Sequence, residues 1–141
     1  ALKFMRPSYV IAAAKAAAKD NDIPIALHLD HGKDIELVKQ VHPDVVYISN
    51  HGGRVETRLG STGDFLQSYA PILKDYCSQI WVDGGIRTLT DIKAAIYYGA
   101  NQIIMARPLI RATFDGNYKD FCSSLFKDKF QIILFVLLNR E

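Results

Sequence analysis

The sequence predicts an α/β fold in which parallel strands alternate with helices. Short apolar runs of strand-forming residues alternate with helical patterns at roughly the spacing of crossover units. Each run ends in a polar or glycine-rich cluster, and the four clusters read LHLDHG, ISNHGGR, VDGGIR and MARP. Polar clusters at the carboxyl ends of parallel strands are typical of α/β barrels. We therefore expect a parallel (βα) half-barrel of the TIM-barrel type with about four βα units.

The length of the chain limits how much of a barrel it can form. The sequence has 141 residues, whereas a complete barrel of eight βα units needs roughly 250. We therefore expect a single half-barrel domain over residues 1–141, which is a fragment or half of a larger barrel. The first residue is Ala1 rather than methionine, which also favours a processed or excised piece.

The first third of the chain is predicted to alternate helix and strand twice. Ser8 is suited to cap an alanine-rich helix, and a strand is predicted from Ile23 to Leu29. A short helix is predicted to begin at Asp34 and to end before Pro43. The apolar run from Val45 to Ile48 then predicts the second strand.

Two later segments are less regular. A polar loop is predicted from Val55 to Gly63. Proline inside a helix removes a hydrogen bond, so Pro71 is predicted near the first turn of a helix from Ile72 to Tyr76. From Asn117 to Leu137 the apolar residues approximate one wide helical face, which predicts a helical tail.

The stretch from Ile80 to Pro108 is the most informative part of the sequence. Ile80-Trp81-Val82 predicts a strand that is buried on both faces. Asp83-Gly84-Gly85 follows it, and glycine lets a backbone turn sharply and approach a ligand closely. The next strand is predicted from Gln102 to Met105, with Arg107 directly after its end.

Between those two strands, the sequence predicts where a helix begins and where it ends. Thr88 is a suitable N-cap, and Asp91 stands three residues later, where a capping-box partner belongs. Gly99 stands where a glycine commonly follows the last helical turn. The two strand ends and this helix start bring backbone N–H groups together with Arg87 and Arg107, an arrangement that predicts a phosphate site.

Composition and charge argue against several classes of protein. The formal net charge is +2 and no basic stripe is present, so we expect no nucleic-acid partner. The apolar run from Ile132 to Leu138 is too short to cross a bilayer, so no membrane partner is expected. Cys77 and Cys122 have neither metal-ligand nor C-x-x-C spacing, which favours reduced thiols and a cytoplasmic setting.

Three motifs in register give the sequence a resemblance to a known family. SNHGGR, DGGIR and the Ala-Arg-Pro strand end resemble the FMN-dependent 2-hydroxy acid oxidase and dehydrogenase family in order and spacing. The resemblance implies an FMN cofactor and a small-molecule 2-hydroxy acid substrate. It assigns His51 as the catalytic general base, a role that imidazole can perform near neutral pH. It assigns Arg54 to the substrate carboxylate, which a guanidinium can bind in a bidentate manner.

The same resemblance implies a set of cofactor-binding residues. Ser49 and His28 match positions near the flavin ring, and His28 stands where the family has a lysine. Positions for the ribityl chain and phosphate are matched by Asp83, Gly84, Gly85, Arg87 and Arg107. Ala106 stands where the family usually has glycine, and its methyl group is expected to crowd the phosphate.

Two other readings remain open. The stretch IPIALHLDHGKD resembles class II fructose-bisphosphate aldolases, in which residues matching Asp30 and His31 would be a catalytic aspartate and a zinc ligand. Zinc needs three or four ligands, and no counterparts of the other histidines are found, so we expect no metal site. The third reading is a non-catalytic phosphate-binding half-barrel. We expect a homo-oligomer or a missing N-terminal half-barrel as partner, because four parallel strands cannot close into a barrel. The alternative is an open sheet whose exposed face is covered by a C-terminal helix from Phe121 to Leu137.

Overall fold

A computed structural model of the chain describes residues 5–29, 32, 34–53, 60–126 and 132–134. The chain divides into two compact units, Ala1–His42 and Pro43–Glu141, and each is described by itself. The single half-barrel domain expected over residues 1–141 stays a prediction.

The first unit contains two helices, α1 (Pro7–Asn21) and α2 (Ile35–Val41). Helix α1 begins with Pro7 in its first turn and has no side-chain cap, so the expected cap at Ser8 is wrong. The proline explains the start, because its fixed φ and missing N–H suit the first helical position. Helix α2 begins as expected, since the Asp34 carboxylate accepts a hydrogen bond of 2.9 Å from the N–H of Glu36.

The strand expected from Ile23 to Leu29 is not formed. These residues carry no strand assignment, and the described residues of the first unit contain no strand that could pair with them. Ile25 and Leu27 are 41% and 52% exposed. A strand needs a hydrogen-bonded neighbour, and Pro24 cannot donate to one. The apolar alternation of this segment is therefore not sufficient for a strand.

The second unit contains a parallel sheet, which confirms the predicted α/β fold. Its strands are β1 (Val45–Ile48), β2 (Gln79–Val82), β3 (Gln102–Met105) and β4 (Ile132–Leu134). They lie side by side in chain order, and every neighbouring pair is parallel. This order is that of consecutive strands in a TIM barrel, in which each strand pairs with the next along the chain.

Strand β4 corrects the prediction for the tail. The expected helix is present as α6 (Tyr118–Phe126), but Ile132–Leu134 pairs with β3 instead of continuing it. Isoleucine is β-branched and favours strands, and the edge of β3 offers backbone groups that need partners. The spacing of apolar residues alone does not distinguish these two outcomes.

Three helices follow the first three strands: α3 (Thr62–Leu73), α4 (Leu89–Tyr97) and α5 (Arg107–Phe114). Helix α3 contains Pro71 near its end, so the expected helix from Ile72 to Tyr76 is wrong. Ser61 and Asp64 form a capping box at the start of α3, and Leu66, Ala70 and Leu73 are buried along it. The cap and this burial offset the hydrogen bond that Pro71 removes.

The core lies between the sheet and helices α3 and α4, which contact β1, β2 and β3. Ile80 and Val82 of β2 are buried, whereas Gln79 is exposed and Trp81 is half-buried, so the expected burial of this strand on both faces is wrong. Successive side chains of a strand point to opposite faces, so this alternation identifies the face that is covered by helices. Ile92 of α4 is fully buried, and it anchors the helix that starts at the predicted phosphate site.

Candidate functional site

The carboxyl ends of β1, β2 and β3 lie at the same edge of the sheet. Ile48 is in register with Val82, and Val82 is in register with Ile103. The N–H of Asp83 continues the ladder by donating to the carbonyl oxygen of Ile48 at 3.0 Å. The segments that follow these strands therefore begin beside one another, where α/β barrels have their sites.

The segment after β1 is a tight turn that its own side chains hold. The N–H of His51 donates to Ser49 Oγ at 3.1 Å, and the N–H of Gly52 donates to Asn50 Oδ1 at 3.1 Å. The N–H of Gly53 donates to the carbonyl oxygen of Asn50 at 2.8 Å. Ser49 therefore supports the backbone of the proposed base His51.

His51 has an unusual backbone conformation. Its φ is 49°, and those of Gly52 and Gly53 are 73° and 80°, so three successive residues are left-handed. This conformation costs a residue with a Cβ about 1–2 kcal/mol, and such strain clusters at functional sites. The side chain of His51 is exposed at the carboxyl edge of the sheet, as its proposed role requires.

The turn after β2 is enclosed on one side and open on the other. A Cβ on Gly84 would lie 2.6 Å from Asn50 Oδ1 and 3.2 Å from Thr62 Cγ2, and φ there is 85°. At Gly85 φ is 80°, but a Cβ would meet no atom within 4 Å. Thr62 is buried and donates from Oγ1 to the carbonyl oxygen of Gly84 at 2.8 Å. Gly84 therefore faces the protein, and Gly85 faces open space.

Asp83 begins the same turn and is held through one carboxylate oxygen only. Tyr47 Oη donates to Asp83 Oδ2 at 2.5 Å. Asp83 Oδ1 is buried and, within the described part of the chain, has no hydrogen-bond partner. Burial, followed by the hydrogen bond to Asp83, raises the pKa of Tyr47 well above its usual value, so Tyr47 is a protonated donor at neutral pH. Asp83 consequently keeps one oxygen for another donor.

Helix α4 begins directly after the glycine turn and fixes the backbone of Arg87. Asp91 Oδ2 accepts from the N–H groups of Arg87 and Thr88 at 3.0 and 2.9 Å, and Thr88 Oγ1 accepts from the N–H of Asp91. This confirms the predicted capping box. The hydrogen bond from Arg87 is the main cause that lowers the pKa of Asp91, followed by that from Thr88. Gly99 follows the helix with a φ of 109°, also as predicted.

Helix α5 begins at Arg107, immediately after β3. Like α1, it has a proline in its first turn, here Pro108, and no side-chain hydrogen bond at its N-terminus, whereas α3 and α4 are capped. Pro108 has no N–H, so the other N–H groups of the first turn are those that a ligand could use. Free N–H groups and the helix dipole at such an end favour an anion. Ala106 has a φ of −115°, which any residue can adopt, so its methyl group causes no backbone strain. Whether that methyl crowds a phosphate stays a prediction.

Arg87 and Arg107 line one open groove of about 690 Å³ beside this helix start. Arg111, one turn further along α5, lines it as well. Arg107 Nη2 also lies 3.4 Å from the carbonyl oxygen of Gly52, a long contact that brings the groove close to the turn after β1. The lining also includes the carboxylates of Asp115 and Asp120, and Arg111 Nε lies 3.8 Å from Asp115 Oδ2. Three guanidinium groups against two carboxylates leave an excess of positive charge, which favours an anionic ligand.

The structure brings together seven of the predicted site residues at this edge: Ser49, His51, Asp83, Gly84, Gly85, Arg87 and Arg107. Arg54 lies outside the described residues, as do Asp30 and His31 of the aldolase reading. His28 lies in the first unit, where its side chain is exposed in a segment that is not a strand.

Three neighbours of the site were not predicted from the sequence. Arg111 was detectable, because it stands four residues after Arg107 on a helix that begins there. Thr62 follows the capping-box serine of S-T-G-D, a signature that predicts a helix start. Tyr47 carries no such signal, since its contact with Asp83 depends on the register of two strands.

The fold defines an α/β protein of the partial TIM-barrel type, with the candidate site at the carboxyl edge of its sheet. The family described as FMN-dependent dehydrogenase matches residues 3–119, and the chain belongs to this family. A 2-hydroxyacid oxidase of Dictyostelium discoideum is 38% identical over 78 residues, which cover 55% of this chain and 20% of that protein. The L-lactate dehydrogenase (cytochrome) of Saccharomyces cerevisiae is 29% identical over 116 residues, which cover 78% of this chain and 20% of that protein.

The chain spans about a fifth of the length of these relatives. No solved structure matches the chain. In the part of the chain that the structure describes, none of the helices has the length and apolar character needed to cross a membrane.

The residues at this edge fit FMN, on which the family depends. The N–H groups at the start of α5 and the guanidinium groups of Arg87 and Arg107 suit its phosphate. The open space at Gly85 allows a ligand to approach the backbone closely. The unpaired oxygen of Asp83 suits a hydroxyl donor, and FMN has such hydroxyls on its ribityl chain.

Proposed function

We propose that this chain is the FMN-phosphate-binding half of a TIM barrel that oxidises a small 2-hydroxy acid. The observation that carries the proposal is the position of Arg87 and Arg107, which line one groove beside the uncapped N-terminus of α5. Membership of the family and similarity to a 2-hydroxyacid oxidase support the choice of cofactor and substrate class. The N–H groups at this helix start and the excess of guanidinium groups in the groove support an anionic ligand at this place, independently of both comparisons.

Some residues of the chain would bind the cofactor, and others would take part in the reaction. Arg87, Arg107 and the N–H groups at the start of α5 would bind the phosphate, because charge-assisted hydrogen bonds are the strong ones. Gly85 would let the ligand lie close to the backbone, where no side chain blocks it.

FMN, when bound, supplies a two-electron acceptor for the oxidation. His51 would accept a proton from the substrate at its imidazole, since it is exposed at the carboxyl edge and imidazole is a common general base. Arg54 would bind the substrate carboxylate, and Ser49 would hold the turn that carries His51. His28 is assigned to the flavin ring by resemblance alone.

The barrel also needs a partner, which we propose is a second copy of the chain or an N-terminal half-barrel. In the sheet of the described residues, β1 and β4 are edge strands. Edge strands expose unpaired N–H and C=O groups, and only closure of the barrel removes them. Light scattering at micromolar concentration tests whether the chain is monomeric. A dimer supports assembly with a second copy, and a monomer that unfolds cooperatively contradicts the need for a partner.

The phosphate assignment is tested by replacing Arg87 and Arg107 together with alanine and titrating FMN and inorganic phosphate. Each charge-assisted hydrogen bond contributes about 1.5–3 kcal/mol, so the double variant should lose several kcal/mol of binding free energy. Arg111→Ala is the control, because Arg111 lines the same groove but lies 3.8 Å from the carboxylate of Asp115 and is not assigned to the phosphate. Unchanged titration of the double variant, or an equal loss in the control, would contradict the assignment.

A visible spectrum of the purified protein separates the remaining readings. Flavin absorbance supports the proposal. Colourless protein that still binds phosphate supports a non-catalytic half-barrel. Stoichiometric zinc supports the aldolase-like reading with Asp30 and His31, which the structure does not describe.

A further inference from the structure

Helices α3 and α4 begin with the same kind of capping box, but the carboxylate at the start of α4 has an additional donor. Asp64 Oδ2 of α3 accepts from the N–H of Ser61 at 2.7 Å and from its hydroxyl at 2.8 Å. Asp91 Oδ2 of α4 accepts from the N–H and the hydroxyl of Thr88, both at 2.9 Å, and from the N–H of Arg87 at 3.0 Å. A capping box needs no bond to the residue before the N-cap. Asp91 therefore also binds a residue that precedes the helix.

The bond from Arg87 connects a weakly supported piece of backbone to a well-packed helix. Arg87 is exposed, so packing contributes little to holding it. Gly85, two residues earlier, has a φ of 80°, and glycine leaves the backbone free to adopt other conformations. Asp91, in contrast, directly precedes Ile92, which is fully buried in the core. Asp91 therefore holds the backbone of Arg87 in a fixed position relative to α4.

Asp91 lies outside the groove that Arg87 lines. The groove residues include Arg87 and Arg107, whereas Asp91 lines a separate cavity of about 180 Å³ together with residues of α3 and other residues of α4. The hydrogen bonds from Arg87 and Thr88 lower the pKa of Asp91, so it is a carboxylate anion at neutral pH. By its charge alone, an anion near the groove weakens phosphate binding. Any favourable effect of Asp91 on phosphate binding must therefore come through Arg87.

We propose that Asp91 is a positioning residue of the phosphate site, which holds the backbone of Arg87 so that its guanidinium stays in the groove with Arg107. This inference rests on the proposed function and deepens it, because it adds a residue that acts on the phosphate without touching it. Positioning and charge have opposite effects on affinity, since the first favours binding of an anion and the second opposes it. The sign of the change on substitution therefore shows which of the two dominates.

The experiment titrates FMN and inorganic phosphate into the full chain and two variants of Asp91. Asp91→Ala should weaken binding of both ligands about tenfold, which is part of the loss expected from removing the Arg87 guanidinium itself. Asp91→Asn keeps an oxygen that can accept from the N–H of Arg87 and removes the charge, so it should bind at least as tightly as the parent. Tighter binding by both variants would show that Asp91 acts only through its charge, and equal weakening by both would show that an acceptor is not sufficient. Either result overturns the proposal.

Asp64→Ala is the matched control, because it removes the corresponding carboxylate from the capping box of α3, which has no bond from an arginine. Urea unfolding should show similar losses of stability for Asp64→Ala and Asp91→Ala, while phosphate binding by Asp64→Ala stays within about twofold of the parent. Weaker phosphate binding by Asp64→Ala, to the same extent as by Asp91→Ala, would mean that any lost helix cap has this effect, which contradicts the proposal. If Asp91→Ala does not fold, Asp91→Ser replaces it, since its shorter side chain keeps a hydroxyl but should not reach the N–H of Arg87.

A double-mutant cycle with Arg87→Ala shows whether Asp91 acts through Arg87. In the Arg87→Ala background, Asp91→Ala should change phosphate binding by less than about twofold, because the residue that it positions is then absent. An undiminished loss in that background would overturn the proposal. If Arg87→Ala weakens binding and Asp91→Ala does not, the inference fails and the phosphate site stands. If the parent binds neither ligand, or Arg87→Ala binds both as the parent does, the proposed phosphate site fails and the inference fails with it.

Discussion

Thr62 Oγ1 donates a hydrogen bond of 2.8 Å to the carbonyl oxygen of Gly84, which joins the start of α3 to the turn after β2. Thr62 is only 7% exposed, so water does not readily replace this bond. The threonine Cγ2 would also lie 3.2 Å from a Cβ on Gly84. One buried side chain thus determines how closely the proposed phosphate-binding turn approaches α3.

Thr62→Val should weaken binding of FMN more than binding of riboflavin, which lacks the phosphate. Valine keeps the shape but cannot donate, so the Gly84 carbonyl loses its partner at a cost of about 1–3 kcal/mol. Thr62→Ser keeps the hydroxyl and should retain most of the affinity. Fluorescence titration of both flavins against the three proteins measures this, and an equal loss of riboflavin and FMN would show that Thr62 does not act on the phosphate site.

Gly84→Ala should destabilise the protein more than Gly85→Ala. Both positions have a positive φ, so each substitution carries a backbone strain of about 1–2 kcal/mol. Only at Gly84 does the new methyl also collide with Asn50 Oδ1, which already accepts from the N–H of Gly52. Urea unfolding gives the difference, and Asn50→Ala in the Gly84→Ala background should recover part of the loss. Equal unfolding free energies for the two single variants would contradict the described packing.

His51 variants should separate chemistry from affinity in a complete barrel that oxidises a 2-hydroxy acid. His51→Ala should lower the rate of flavin reduction by about 10²-fold or more while FMN remains bound, because a general base contributes to proton transfer. His51→Asn is the better variant structurally, since asparagine tolerates the left-handed φ of 49° at this position. Stopped-flow absorbance follows reduction, and FMN titration follows binding. A parallel loss of both would mean that His51 is structural.

Tyr47 should make the protein lose stability at alkaline pH. Its pKa is raised in the folded state above the value of about 10 in an unfolded chain. The folded state therefore holds the proton more tightly, and this contribution is complete below pH about 10 and is lost as pH rises above it. The unfolding free energy of the parent should fall more steeply there than that of Tyr47→Phe. Urea unfolding between pH about 8 and 11 compares them, and identical slopes would contradict the raised pKa.

The sequence was sufficient for the part of the fold in which local signals agree. Around β2 and α4, strand formers, a glycine turn, a capping box and a terminal glycine point to the same structure, and all are found. When local preferences agree in this way, tertiary contacts rarely alter the secondary structure that the sequence predicts.

Where one local signal stands alone, tertiary contacts decide the outcome. The residues from Ile23 to Leu29 have a strand pattern but no neighbour to pair with among the described residues of their unit. Pro71 by itself favours a helix start, yet the capping box of Ser61 and Asp64 lies earlier in the chain and outweighs it. The apolar spacing of Ile132–Leu134 favours a helix, although the edge of β3 provides the partner that makes it a strand.

The candidate site was predictable as a set of strand ends but not as a set of contacts. His51, Asp83 and Arg107 could be assigned to one edge because parallel strands all end there. The hydrogen bonds of Tyr47 and Thr62 to the turn after β2 could not be predicted. The bond of Tyr47 depends on the register of β1 against β2, and the bond of Thr62 depends on where α3 begins. The sequence therefore predicts which residues lie at the carboxyl edge of the sheet, whereas the strand register determines which side chains form hydrogen bonds with them.

The order of the strands has a consequence for how such a site can be inherited. Because every strand neighbours the next one in the chain, a single uninterrupted stretch of sequence is also a single uninterrupted piece of sheet. Ser49 and Arg107 are the first and last of the predicted site residues at this edge, and the others lie between them in one continuous segment of the chain. A duplication, fusion or exchange of gene segments that keeps this segment whole therefore transfers all the proposed site residues of this edge together into a new protein, whatever barrel half it is joined to.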